Sequence, residues 1–376
     1  MTISNRRDIR VLHVVSGLLP GGLELMLSHL VTGLTKPGFR HSVACLKGEA
    51  VIRDRFPPST SIFCLRSTPN EPTLPWRLWR LIHRLRPTVI HASNWAAWPD
   101  IAVARLITWP MIPLIFCFHG TESAGPMPLR RRLAFRALSR ITTHLLTVSD
   151  ASKRMLVRDL GWPVNRVGVI PNGVDTARYR PGRMRTRRRR FVVGTAGRLS
   201  PVKNHPLLLR ACAAAIERGL DAELLIAGQG KLREHLRDLA QSLGIADRLR
   251  LPGFVTDVPA FLRRLDLFVL TSDAEQHPLA LIEAMACGLP CVATRVGSVD
   301  AVLDGGRCGR IVEPRDASSL AAEILELAGD RDLRWRLGRT ARQHVCRNYS
   351  MEQMIAAYED LYRRLSATRN GGRRLT

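Results

Sequence analysis

The stretch EQHPLALIEAMACGLP, residues 275–290, carries two carboxylates, Glu275 and Glu283, eight positions apart. Three chemistries fit such a pair: a general acid–base couple, a clamp on a hydroxyl-rich ligand, or two solvated charges. Pro278 suits a first helical position, and Gly288 with Pro290 beyond it suits a helix terminator. Glu275 then falls in a loop and Glu283 in the second turn of the helix. Eight residues turn a straight helix through roughly 800°, about 80° off the same face, so the two acids need not meet. They can contact different parts of one elongated ligand. A carboxylate accepts two hydrogen bonds from adjacent hydroxyls, which makes sugar or ribose diols natural targets.

Two further loops carry chemistry suited to anions. In LLPGGLE, residues 18–24, Gly21 and Gly22 let the backbone approach a ligand, and a helix start supplies N–H groups and positive dipole character. In TAGRLSPVKNH, residues 195–205, Arg198 and Lys203 can neutralise a diphosphate. A bare turn and an accidental pair of basic residues are the competing readings of these loops.

The elements that must position these residues follow from hydrophobic pattern. Buried strands such as VLHVVSG, HSVACL and TVIHAS alternate with amphipathic helices such as GLELMLSHLVTGL. That rhythm predicts a mostly parallel sheet with helices on both faces. It breaks at RPGRMRTRRRR, residues 180–190, and restarts with RFVVGTAGRLS, AELLIAGQG, RLRLPGF, LFVLTS and CVATRVG. The expected organisation is an N-terminal Rossmann-like domain over 1–180, a basic linker over 181–190, a second Rossmann-like domain over 191–350, and a C-terminal helix over 351–376 packing back toward the first. Two doubly wound α/β domains then face each other across a cleft, with ligands beyond the carboxyl ends of the strands. Asp150, in VSDAS, is expected to cap the helix that follows it, and Asn172 to shape a turn.

Composition narrows the partners. The chain has 376 residues with 57 Lys and Arg against 32 Asp and Glu, a net charge of +25. That balance favours phosphorylated small molecules, acidic lipid surfaces or nucleic acid, yet no base-reading motif is present. Eight cysteines form no CxxC pair, and 11 histidines show neither HxxxH nor HExxH spacing. Reduced thiols, no dedicated metal site and no cofactor are therefore expected. The apolar stretch 101–118 is broken by Arg105, Pro110 and Pro113, so no spanning helix is expected.

EQHPLALIEAMACGLPCVAT resembles the E-x7-E segment of retaining glycosyltransferases of family 4, which have the two-Rossmann-domain GT-B fold. PGGLE, FHG, LLTVSDASKRML, VIPNGVDTARY, GRLSPVKN, LLIAGQG and GRIVEPRD occur in the order expected of that family, over roughly residues 10–365. The resemblance implies that Glu283 holds the ribose hydroxyls of the nucleotide and Glu275 a hydroxyl of the donor sugar. It assigns the diphosphate to Arg198 and Lys203, whose charge stabilises the leaving group without a metal. Gly22, with Gly21 before it, approaches the phosphates or the reacting sugar, and His119 contacts the sugar near its anomeric carbon. Gly253 and Phe254 lie near the nucleobase, and the backbone around Pro278, Leu279 and Ala280 reaches the phosphates or sugar. Gln276 and His277 stand where the family often has Gly and Phe, close to the donor sugar. GSVDA replaces the frequent GGxxE, with Ala301 where the acid stands.

The implied function is retaining transfer of a sugar from a UDP- or GDP-linked donor to a glycan or lipid-linked acceptor, in envelope or exopolysaccharide synthesis. None of the N-terminal motifs supplies a nucleophilic carboxylate, so front-face attack is favoured, with domain closure about the linker excluding water. PWRLWRLIHRLR and PLRRRLAFRALSR read as basic amphipathic helices that can lie on acidic lipid or pack on the sheet. The expected location is cytoplasmic or peripheral on the inner face of the cytoplasmic membrane. The rival readings are an epimerase or phosphorylase on the same fold, and a basic nucleic-acid binder.

Overall fold

A computed structural model describes residues 8–19, 21–48, 50–93, 95–120, 127–182 and 190–371. The chain divides into two compact units, residues 1–172 with 352–376, and residues 173–351. Of the expected linker over 181–190, residues 183–189 lie outside the described residues.

The first unit is built on a parallel sheet of Ile9–Val15 (β1), Phe39–Cys45 (β2), Ser61–Cys64 (β3), Val89–Ser93 (β4), Leu114–Phe118 (β5), His144–Thr147 (β6) and Val167–Val169 (β7). Its order is β3-β2-β1-β4-β5-β6-β7, so the winding direction reverses between β1 and β4. Strands β4 and β5 are buried along their whole length. Such runs of Val, Ile, Leu and Phe belong in a sheet covered on both faces. Between the strands lie helices such as Gly22–Gly33 and Leu74–Leu85; the latter turns Leu74, Leu78, Leu81 and Ile82 inward.

The second unit repeats the plan with Phe191–Ala196 (β8), Ala222–Ala227 (β9), Leu249–Gly253 (β10), Leu267–Leu270 (β11), Cys291–Thr294 (β12) and Arg310–Val312 (β13). The order is β10-β9-β8-β11-β12-β13, all parallel, and the reversal falls between β8 and β11. In open α/β sheets the ligand crevice forms at that reversal, beyond the carboxyl ends of the strands.

Residues 173–182 pack on the second unit. Val174 bridges to Ser350, and Arg342 donates hydrogen bonds to the carbonyls of Thr176, Tyr179 and Ala286. The helix Met351–Gly371 runs back along the first unit from Glu352 onward. Tyr362 Oη lies 2.7 Å from His91 Nδ1, Tyr358 reaches Cys117, and Lys36 pairs with Glu359 at 2.6 Å. Gly33 makes room for it: a Cβ there falls 2.3 Å from Ile355 Cδ1.

One local expectation changes. The helix Asp150–Leu160 is capped by Ser149, whose Oγ accepts from the Ser152 amide, so Asp150 is its first residue instead of its cap. Strands β7 and β13 have three residues each, too few for a periodic signal.

Candidate active site

At the carboxyl end of the second sheet, four loops are knitted together by main-chain hydrogen bonds. The Gly197 and Leu199 amides, after β8, donate to Ala227 O and Gln229 O, both at 2.9 Å. The Gly228 amide donates to Gly253 O at 2.8 Å, joining the loop after β9 to the end of β10. The Asp273 amide, after β11, donates to Val202 O at 2.8 Å. Glycine is required at two of these approaches. A Cβ on Gly228 falls 1.8 Å from Gly197 O and one on Gly230 falls 2.2 Å from Leu199 O, both at positive φ.

Arg198 and Lys203 ride on this scaffold. Arg198 is exposed, and its carbonyl faces His205 Nε2 at 3.3 Å. Burial holds the His205 imidazole at a pKa of about 4, so it is a neutral prop. Lys203 lies in a short 3-10 turn, Pro201–Lys203, whose carbonyl end accepts the Thr271 hydroxyl at 3.0 Å. The Asn204 amide group adds a bond to Asp273 Oδ1 at 2.9 Å.

Lys203 and Glu275 meet. Glu275 Oε1 accepts from Lys203 Nζ at 2.5 Å and from Ser272 Oγ at 2.7 Å. Its backbone is seated against the loop after β12, where a Cβ on Gly297 falls 1.5 Å from Glu275 O at a φ of +56°. Thr294 Oγ1 also donates to Ser272 O at 2.6 Å. A carboxylate and an ammonium are thus fixed beside each other at the switch point of the sheet.

The helix after Glu275 spans Leu279–Ala286, with Pro278 just outside it and Gly288 in the left-handed region beyond its end. Leu279 and Ala280 form its first turn, where backbone N–H groups lack helical partners. Glu283, one turn further, takes a hydrogen bond from Tyr179. Burial lifts its carboxyl from the ordinary 4.5 to about 7, against the lowering effects of Tyr179 and Arg178. His277 turns inward: it is buried, burial drives its pKa to about 3, and its ring stands edge-on to Tyr349 with centroids 5.1 Å apart. Gln276 beside it is half-buried. Gly253 adopts a φ of +81° at the end of β10, and Phe254 after it is 54% exposed, an open aromatic face.

In the first unit, Gly21 precedes the helix Gly22–Gly33 directly after β1 and the short loop that follows. His119 follows β5 at its carboxyl end, and burial holds its pKa at about 4. Among the described residues, Asp304, Cys308 and His344 bring one ligand-type atom each within 4.8 Å of one another. There the Asp304 carboxylate is already paired with Arg307 at 2.6 Å, and His344 Nδ1 with Asn348 Nδ2 at 3.2 Å.

The sequence reading did not single out Ser272, Gly297 or Tyr179. Ser272 was visible as a hydroxyl three residues before Glu275, the spacing of a turn. Gly297 opens GSVDA and Tyr179 closes VIPNGVDTARY, but neither motif shows that its residue meets Glu275 or Glu283, which lie in another segment of the chain.

Two doubly wound parallel sheets, one with cations and carboxylates gathered at its strand ends, are the architecture of GT-B sugar transferases. The model for Glycosyltransferase Family 4 matches residues 20–178, and that for Glycosyl transferases group 1 matches residues 183–344. The chain is 30% identical over 312 residues to the D-inositol 3-phosphate glycosyltransferase of Acidothermus cellulolyticus, covering 74% of this chain and 69% of that protein. It is 26% identical over 303 residues to the Escherichia coli UDP-Gal:alpha-D-GlcNAc-diphosphoundecaprenol alpha-1,3-galactosyltransferase, covering 76% and 77%. The fold matches a glycosyltransferase from Rickettsia africae ESF-5 with a TM-score of 0.83 at 18% identity, over 95% of this chain and 98% of that one. It also matches Anabaena Alr3699/HepE, solved in complex with UDP and glucose, with a TM-score of 0.81 at 21% identity, over 94% and 99%. The chain belongs to glycosyltransferase family 4. It is a glycosyltransferase, and the epimerase, phosphorylase and nucleic-acid-binding readings find no support.

Proposed function

We propose that this chain transfers a sugar, with retention and without a metal, from a UDP- or GDP-linked donor to a glycan or lipid-linked acceptor of envelope or exopolysaccharide synthesis. The observation that carries this reading is the Lys203–Glu275–Ser272 cluster at the switch point of the second sheet. Lys203 and Arg198 supply the positive charge that a departing diphosphate needs. Glu275 accepts from a hydroxyl of the donor sugar, Glu283 from the ribose diol, and the exposed ring of Phe254, beside Gly253, offers a face to the base. The amides of Leu279 and Ala280, beyond Pro278, suit the phosphates, as does the Gly21–Gly22 turn. Gln276 and His277 shape the sugar's surroundings, and His119 acts near the anomeric carbon.

In the proposed step the bond from the anomeric carbon to the phosphate oxygen breaks, and the acceptor oxygen bonds to that carbon on the same face. The acceptor's proton passes to the departing phosphate. A covalent sugar adduct trapped on Glu275 would overturn this order of events. A UDP relative with an undecaprenol-linked acceptor and a fold relative solved with UDP support the donor and acceptor classes. The test is a thermal-shift panel of UDP- and GDP-sugars, followed by NMR of the product's anomeric centre with and without EDTA. Selective stabilisation by one donor and EDTA-resistant retention support the reading; an inverted product or loss of activity in EDTA refutes it.

An acidic membrane surface is part of this proposal. The helix Leu129–Ile141 exposes Leu129, Leu133 and Ile141 among Arg130, Arg131, Arg132, Arg136 and Arg140. Trp109 is 89% exposed in a loop tied to this helix through Arg105, which donates to Ile112 O and Ile141 O. Apolar anchors ringed by arginines suit anionic lipid. The helix Leu74–Leu85, by contrast, buries most of its apolar side and leaves Trp76 exposed. No helix among the described residues is long and apolar enough to cross a membrane. Salt-sensitive sedimentation with phosphatidylglycerol vesicles, weakened by Trp109→Ser with Leu133→Ser, is expected; unchanged binding of that variant refutes this surface.

A further inference from the structure

The motif VIPNGVDTARY ends on a side chain to which no role has been given so far. Tyr179 is buried and donates its phenolic hydrogen to the Glu283 carboxylate. Its backbone cannot drift from that acid. Arg342 donates one hydrogen bond to Tyr179 O, a second to Thr176 O at 2.8 Å, and a third at 2.5 Å to Ala286 O, at the end of the helix that bears Glu283. The Arg178 guanidinium lies 5.9 Å from the centre of the Tyr179 ring, and its charge also favours the Glu283 carboxylate. Cys287, just beyond the end of Glu283's helix, is a further titratable neighbour, and burial holds it as a thiol. Burial and the neighbouring acid push the Tyr179 hydroxyl upward, so it stays a donor at any working pH.

A carboxylate offers about four lone-pair directions. With one taken from a fixed direction, the group can no longer rotate freely about its last bond. We infer that Tyr179 is a positioning residue for nucleotide recognition: its hydroxyl holds the Glu283 carboxylate so that the remaining lone pairs meet the two ribose hydroxyls of the donor. This inference rests on the reading of Glu283 as the ribose acceptor. A phenylalanine at this position fills the same space but leaves a half-buried carboxylate without its partner and with its rotation restored.

The test compares binding of UDP and of 2′,3′-dideoxy-UDP by calorimetry, or of the guanosine pair if GDP binds more tightly. In the wild type the diol adds affinity. Tyr179→Phe is expected to weaken the ribonucleotide about tenfold while leaving the dideoxy compound within twofold, so the preference for the diol collapses. A merely structural role weakens both nucleotides together and overturns the inference. Glu283→Gln separates the two levels of the argument. If E283Q keeps the diol preference, the ribose reading of Glu283 fails. If E283Q loses it and Y179F keeps it, only the role of Tyr179 fails.

Discussion

Lys203 Nζ and Glu275 Oε1 lie 2.5 Å apart, although 72 residues separate them in the chain. Each side chain is largely shielded, and Ser272 shares the same carboxylate oxygen. The ammonium is thereby aimed and the carboxylate oriented before any ligand arrives, and preorganised charge is the larger part of many enzymes' rate enhancement. Lys203→Ala is expected to lower kcat by about 10²–10³-fold, the range for removing one oriented stabilising group, and to weaken UDP as well. Glu275→Gln is expected to lower kcat comparably while leaving UDP affinity within about twofold, because its partner is the sugar. Steady-state kinetics beside calorimetry with UDP checks the split; equal loss of UDP binding in both variants would contradict the assignment.

Gly297 is placed where no side chain fits. A Cβ there falls 1.5 Å from Glu275 O, at a φ of +56°. Gly297→Ala must therefore displace the Glu275 peptide, and its backbone strain alone is worth about 1–2 kcal/mol. The expected result is a folded protein with a lowered Tm and little activity, seen by calorimetry and turnover assay. Wild-type activity in G297A would show that the Glu275 loop tolerates displacement.

Glu283 makes the second unit sensitive to alkali. Its carboxyl rises from the ordinary 4.5 to about 7, chiefly through burial. Between those values the folded state holds a proton that the unfolded chain has released. The contribution is complete below pH 4.5 and is lost as pH rises through 7. Glu283→Gln removes the titration, so relative to wild type it is expected to gain about 1–3 kcal/mol of stability between pH 5 and pH 8. Urea unfolding of both proteins at the two pH values measures that difference.

The first unit has the opposite sensitivity. Burial lowers His41 and His119 to about 4 and His91 to about 3, and it lowers His13 well below 6.5. His13 Nε2 stands 3.1 Å from His41 Nδ1, and His91 holds Tyr362 of the last helix. The folded state refuses protons that the unfolded chain accepts, so stability is full above about pH 6.5 and falls as pH drops toward 4 and 3. Six of the seven tryptophans lie in this unit, Trp335 being the exception, so tryptophan fluorescence follows it. The urea midpoint by that signal is expected to fall steadily from pH 7 to pH 5. Replacing His13 and His91 together by Gln should flatten the slope.

Much of this protein is written locally. The alternation of buried runs and amphipathic stretches carries both sheets, because a parallel strand covered on two faces must be apolar throughout, as in Leu114–Phe118. The helix carrying Glu283 announces itself through Pro278 and Gly288, residues whose backbone preferences act at their own positions. Lys203, Glu275 and Glu283 could be picked out because their motifs are short and contiguous. Other features depended on residues distant in sequence. His277 is buried with its ring edge-on to Tyr349, a contact that its neighbours in the chain do not announce. The pairing of Lys203 with Glu275, the clearance at Gly297 and the bond from Tyr179 to Glu283 all join segments tens of residues apart. Hydrophobic period is a property of one segment and can be read along it; a hydrogen bond between two loops exists only once the sheet has set where its strands end.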